Sequence, residues 1–250
     1  MLPLLSHVWS FNQALLLSET GQYHQALKIY DLVIKHGRYY YNYNFLNKVW
    51  FNKGLALSNL DKYADAIVNY DLAFQTPCFG FLFIGRSFFY RIWYHRGLAL
   101  HKLGKYTEAI DNYDQALSQN LYPLWSGIDR CTYQFRSYEK ILAKYNPSLK
   151  HKPYMSSIWK SKSLALYELE RYEEAIANLD LIPSAGANSH NCFYHKARCY
   201  AKLGKINLAL ENLQQSLGFS QDEHKARIES DLAFEYIRQN QQYIDFVTGI

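Results

Sequence analysis

Between Trp93 and Leu117 the apolar and small positions fall into two helical stripes separated by polar residues. Trp93, Gly97 and Leu100 share one face of a first short helix, and Ala109, Ile110, Tyr113, Ala116 and Leu117 one face of a second. Gly104 stands between them, where a glycine ends a helix by taking the left-handed conformation without a Cβ clash. Ala109 is small where the two helices should approach most closely. Neither helix alone can bury its stripe, so the pair must stack on another copy of itself.

Copies are present. Asp61–Phe74 (DKYADAIVNYDLAF) matches Gly104–Leu117 (GKYTEAIDNYDQAL) almost residue for residue, and Gly21–Ile34, Glu170–Pro183 and Gly204–Leu217 follow the same template. An aromatic opens the first helix at Trp50, Trp93, Trp159 and Phe193; in the first copy Trp9 comes one residue early and Ser10 holds the slot. This order of aromatic, Gly or Ala, Leu or Tyr, then Gly-x-Tyr-x-x-Ala, then Tyr and Ala, resembles the tetratricopeptide repeat in its bacterial-type form. The resemblance implies an all-α, right-handed α-solenoid spanning 1–250 as a single domain. Its five clear hairpins would occupy about 5–35, 45–77, 89–121, 155–187 and 188–220. A degenerate sixth is expected at 122–154, where Trp125 falls about one family period from both Trp93 and Trp159. There Tyr138, Ile141, Leu142 and Tyr145 fill second-helix slots. Asp129 replaces the small residue, Arg136 the turn glycine, and Pro147 shortens the helix; an irregular helical insert is the alternative. The tail, 221–250, resembles the capping helices of bacterial tetratricopeptide proteins, with Phe234, Ile237, Tyr243 and Phe246 placed to cover the last repeat.

Composition changes this picture little. At 250 residues the chain is long enough for two domains, but a solenoid core is a row of local contacts and makes that question moot. A net charge of +5 is too small to argue for nucleic acid. Four cysteines, 78, 131, 192 and 199, show no paired spacing and fit reduced thiols in a cytoplasmic protein. The first residues lack a basic stretch and a small-residue cleavage site, so they read as the first repeat helix rather than a signal peptide. No run of 18 uncharged apolar residues occurs, and no membrane-spanning helix is expected.

Two stretches exceed the repeat period. His36–Asn44 carries Tyr39, Tyr40, Tyr41 and Tyr43, too many for one buried stripe, so some should be exposed. Gln75–Ile92 carries Phe79, Phe81, Leu82, Phe83, Ile84, Phe88 and Phe89. It either folds over its own solenoid or forms a secondary contact surface for a partner or a membrane interface, with Phe79, Phe81, Leu82, Phe83 and Phe88 as the contacts. Gly80-x4-Gly85 is not a phosphate loop, since Arg86 stands where its lysine belongs and no strand precedes it.

Chemistry is sparse. His190, Cys192, His195 and Cys199 are good zinc ligands by type, but lack the paired spacing of closed zinc sites, and both cysteines occupy packing slots. No paired carboxylates near a histidine, GxSxG or HExxH appear. Glu173, Glu174 and Asp65 sit on outer faces where charge is solvated, and His95 and His101 read as solvated or groove-lining. The expectation is no enzyme, no metal and no cofactor.

Concave-surface recognition, at the second, fifth, ninth, twelfth and thirteenth positions of each repeat, is what the resemblance implies. These slots hold Phe11 and Glu19; Lys48, Phe51 and Asn59; Arg91, Tyr94, His101 and Lys102; Arg130, Tyr133 and Gln134; Lys160, Tyr167 and Glu168; and Asn191, Tyr194, Arg198 and Lys202. Lys48, Arg91, Lys102, Arg130, Lys160, Arg198 and Lys202 outnumber Glu19 and Glu168. Such a groove would meet carboxylates through its cations and apolar groups through its rings. The carboxylate clamp of some family members is incomplete: Asn52 and Arg91 fit, His95 stands where Arg is wanted, and Phe11 and Leu15 replace Lys and Asn. The expected function is a non-enzymatic protein–protein interaction scaffold (adaptor, assembly factor or accessory subunit) holding a partner's peptide or helix of acidic character. The alternatives are single-stranded nucleic-acid binding by the basic, tyrosine-bearing groove, and peripheral membrane-complex assembly through the aromatic 78–92 loop.

Overall fold

The computed structural model describes residues 2–37, 43–75, 88–121, 153–183, 189–217 and 221–249, and every regular element among them is helical. The chain divides into two compact units, 1–128 and 129–250. The first holds three hairpins: α1 (Leu2–Glu19) with α2 (Tyr23–Gly37), α3 (Tyr43–Ser58) with α4 (Tyr63–Gln75), and α5 (Phe89–Lys102) with α6 (Tyr106–Leu121). The second holds α7 (Pro153–Glu168) with α8 (Tyr172–Leu179) and α9 (Ser189–Lys202) with α10 (Ile206–Ser216), followed by α11 (Gln221–Ser230), a 3-10 turn (Leu232–Ile237) and α12 (Gln241–Gly249).

Each first helix ends in the same way. The residue after its last turn has positive φ: +78° at Gly21, +74° at Gly104 and +69° at Gly204. In the other two hairpins Asp61 (58°) and Glu170 (59°) are forced into that conformation against their Cβ. The next amide reaches back to close the turn, as in Lys105 N to Leu100 O (2.9 Å) and Lys62 N to Leu57 O (3.0 Å).

Small residues set the helix approach within a hairpin. A Cβ on Gly54 would lie 2.6 Å from Tyr70 Cε1, and one on Gly97 2.7 Å from Tyr113 Cε1. Both tyrosines are fully buried. Where the partner residue is the smaller Leu179 or Leu213, the small position is Ser163 or Ala197. The hydroxyls of Tyr30 and Tyr70 pair with Ser18 (3.2 Å) and Ser58 (3.0 Å), so their burial leaves no orphan polar group.

Consecutive hairpins are joined by apolar contact and by a recurring ion pair. Val49 and Ala56 of α3 share a core with Ala26, Tyr30 and Val33 of α2; Ile92 and Ala99 of α5 share one with Ala66, Tyr70 and Ala73 of α4. At the edge, Lys53 meets Asp31 (2.6 Å), Arg96 meets Asp71 (2.8 Å) and Lys196 meets Asp180 (2.5 Å). These half-exposed pairs contribute little energy individually, roughly 0–1 kcal/mol each.

The C-terminal cap packs on the last repeat. Phe234, Ile237 and Tyr243 are buried with Ala209 and Leu213, and Phe246 lies partly buried against them. It is built of two helices and a 3-10 turn. The degenerate repeat at 122–154, apart from the start of α7, and the tyrosines 39–41 lie outside the described residues.

Candidate partner-binding surface

In the first unit the expected groove positions separate into buried rings and exposed cations. Phe51 is 1% exposed, wedged among Tyr70, Phe88 and His95 with ring centroids 5.3–5.9 Å away. Phe11 is likewise buried, against Tyr30 and Phe45. Both are therefore core residues rather than exposed contacts, because this slot faces the neighbouring first helix as well as the groove. Phe88, expected as a secondary contact, also packs into the core on Phe51, and Phe89 stacks on Phe74. Arg91 is exposed and lays its guanidinium over the Phe51 ring at 5.1 Å. Lys48 and Lys102 are exposed, and among the described residues none of these three cations forms an ion pair. Tyr94 is half-buried between His95 and Tyr113. Asn52 turns inward on its own helix, donating to the Lys48 carbonyl at 2.7 Å. His101 packs edge-on against Tyr106.

His95 is held neutral. Burial among the rings, then the Arg91 charge, push its pKa down to about 4. A neutral imidazole cannot act as the cation that a carboxylate clamp wants at this position.

The second unit differs, because its own cap reaches the groove positions. Asp231 precedes the 3-10 turn and caps it, Oδ1 accepting from Ala233 N at 2.9 Å. Its Oδ2 accepts from Tyr194 Oη at 2.7 Å and lies 2.9 Å from Arg198 Nε. Tyr194 is 2% exposed, and burial followed by the hydrogen bond to Asp231 raises its pKa, so the hydroxyl stays protonated and donates. Arg198 stacks on Tyr167 (4.3 Å), Arg227 on Tyr194 (3.8 Å) and Lys202 on Tyr236 (4.9 Å). The expected contacts Tyr194 and Arg198 are thus committed to the chain's own carboxylate. Asp231 and Arg227 were missed: an aspartate before an apolar run reads as a helix cap, and nothing in the local pattern says which groove it faces.

Lys160 is half-buried, near Cys192. Cys192 and Cys199 are buried thiols in the core of α9, and burial pushes Cys199 up to about 12. Among the described residues no three His, Cys, Asp or Glu side chains gather as a metal site. Arg130, Tyr133, Phe79, Phe81, Leu82 and Phe83 lie outside the described residues.

Two family profiles described as tetratricopeptide repeat match the sequence, one at residues 90–120 and the other at 48–75 and 190–223. These are the second, third and fifth hairpins. The chain is a tetratricopeptide repeat protein. Such repeats are in general non-enzymatic modules that bind other proteins or peptides, and the chain is a protein-interaction scaffold in that sense. No curated protein matches the sequence significantly. Among solved structures this tetratricopeptide protein is similar to MamA from Desulfovibrio magneticus RS-1 (TM-score 0.57, 15% identity, covering 90% of this chain and 97% of that one). It is also similar to YrrB, described as a TPR protein with an unusual peptide-binding site (0.56, 14%, 96% and 91%), and to BtubC from P. vanneervenii (0.61, 11%, 87% and 79%). At these identities the likeness is one of fold. No helix among the described residues is long and apolar enough to cross a membrane.

Proposed function

We propose that the protein is an adaptor, assembly factor or accessory subunit, and that the first unit holds an acidic peptide or helix of its partner over Lys48, Arg91 and Lys102. The observation that carries this reading is the contrast between the units. Arg198 of the second unit already holds a carboxylate, Asp231, whereas the cations of the first unit are exposed without one. Arg91 lies over Phe51 and is exposed, so a bidentate carboxylate can reach its guanidinium. Tyr94 beside it offers a ring for an apolar side chain. That YrrB is described as having a peptide-binding site supports peptide as the ligand class. A single solenoid through 1–250 in the cytoplasm belongs to the same proposal.

The test is affinity capture from the native host by wild type and by a Lys48→Glu, Arg91→Glu, Lys102→Glu variant, with mass spectrometry of what is retained. A protein partner bound by wild type and weakened at least tenfold in the variant is the expected result. Its loss should follow added salt only in part, since Tyr94 contributes without charge. Equal capture by both proteins, or recovery of nucleic acid or lipid alone, overturns the reading.

A further inference from the structure

The hairpins superimpose in sequence on their small residues, Ala14, Gly54, Gly97 and Ala197. In that register Trp9 falls on Val49, Ile92 and Cys192, and Leu16 on Ala56, Ala99 and Cys199. All six later residues are buried. Trp9 is 66% exposed and Leu16 61%. The later residues are buried because the second helix of the preceding hairpin covers them, as α2 covers Val49 and Ala56. In α1 the same slots carry the larger apolar side chains and have no helix over them among the described residues. Seven residues apart, Trp9 and Leu16 lie on one face, two turns or about 10 Å from each other. Val8, Asn12 and Gln13 are exposed with them.

The chemistry of this face identifies what fits it. In later repeats the slot of Gln13 holds Lys53, Arg96 and Lys196, each paired with an aspartate of the covering helix. Gln13 is neutral, so this face offers no cation with which an acidic second helix could pair. From Val8 to Ser18 the helix bears no charge, and Glu19 lies at its end. Such a face is self-complementary: in an antiparallel crossing, Trp9 of one copy meets Leu16 of the other, and the amides of Asn12 and Gln13 meet at the two-fold axis without like charges opposed. Head-to-tail stacking of α1 on the last repeat is blocked, since Phe234, Ile237 and Tyr243 already cover Ala209 and Leu213 of α10.

We propose that the protein forms a two-fold dimer through antiparallel pairing of two α1 helices, burying Trp9 and Leu16 of both copies. The test is sedimentation of the full chain from about 1 to 100 µM, wild type against Trp9→Ser, Leu16→Ser. Wild type is expected at twice 29.4 kDa, and the variant at the monomer mass or with an at least tenfold weaker dimer, its far-ultraviolet circular dichroism unchanged. A second arm does not depend on that variant. Gln13→Cys should give a disulfide-linked dimer on mild oxidation, whereas Lys28→Cys, exposed on α2, should match the wild-type control. A monomer at every concentration overturns the proposal. So does a dimer untouched by the double substitution, an open series of higher oligomers, or equal cross-linking at both cysteines.

Discussion

Replacing Gly97 with alanine sets two effects of opposite sign against each other. Alanine favours the α5 helix over glycine by about 1 kcal/mol. The added Cβ, however, would lie 2.7 Å from Tyr113 Cε1, 2.9 Å from Cδ1 and 3.3 Å from the Ala109 carbonyl oxygen. Tyr113 is fully buried, and its ring is a rigid plate that Tyr94 also touches. Either the ring or the α6 backbone must shift to admit it, and overpacking of this kind costs about 1–3 kcal/mol. The clash should win, with a net loss of up to about 2 kcal/mol. Shortening the partner reverses the sign. In a Tyr113→Leu background, which reproduces the Ala197–Leu213 pair of the last repeat, Gly97→Ala should stabilise by up to about 1 kcal/mol. Urea unfolding of the four proteins of this cycle, followed by circular dichroism and tryptophan fluorescence in parallel, measures the coupling. Additive sites agree within about 0.5 kcal/mol. A coupling below that, or a stabilising Gly97→Ala in the wild-type background, would refute the claim that Tyr113 dictates glycine here.

Asp61→Gly and Glu170→Gly should each stabilise the fold by a few tenths to about 1 kcal/mol, read as a higher urea midpoint at unchanged slope, because both residues sit at positive φ; Gly104→Ala should destabilise it by a similar amount. His95 and His195 have folded pKa values pushed from 6.5 to about 4, so the unfolded chain binds more protons between those values. Stability should therefore fall as pH drops from about 6.5 to 4, and His95→Leu should flatten that slope; an unchanged slope would assign the acid sensitivity to other groups. Asp231→Ala removes the carboxylate that Arg198 and Tyr194 share, so amide exchange in the 3-10 turn and α12 should rise several-fold while α1–α4 keep their protection.

The hairpins were legible because their causes are local. Gly104, Gly21 and Gly204 announce helix ends through a backbone conformation that only glycine takes freely, and the aromatic and small slots repeat at fixed offsets. The inter-repeat ion pairs were less visible. The aspartate after Tyr30, Tyr70 and Leu179 recurs at one offset, and the basic residue three after the opening aromatic recurs at another, but nothing along the chain says that they meet. The groove was the least legible part. Its slots list residues by position within a repeat, whereas exposure depends on the neighbouring repeat, which buries Phe51 and leaves Lys48 in solvent.

The sequence alone determined that the protein is all-α, built of stacked helical hairpins, and closed at one end by an apolar cap, because helix periodicity and turn chemistry act over a few residues. Only the tertiary structure decided which of the expected contacts are free. Asp231 lies 33 residues from Arg198, yet the cap brings it to 2.9 Å and neutralises that cation. It also showed that Trp9 and Leu16 stand uncovered in slots that later repeats bury. Burial and charge pairing are properties of what packs alongside, and no stretch of sequence carries its neighbour's surface with it.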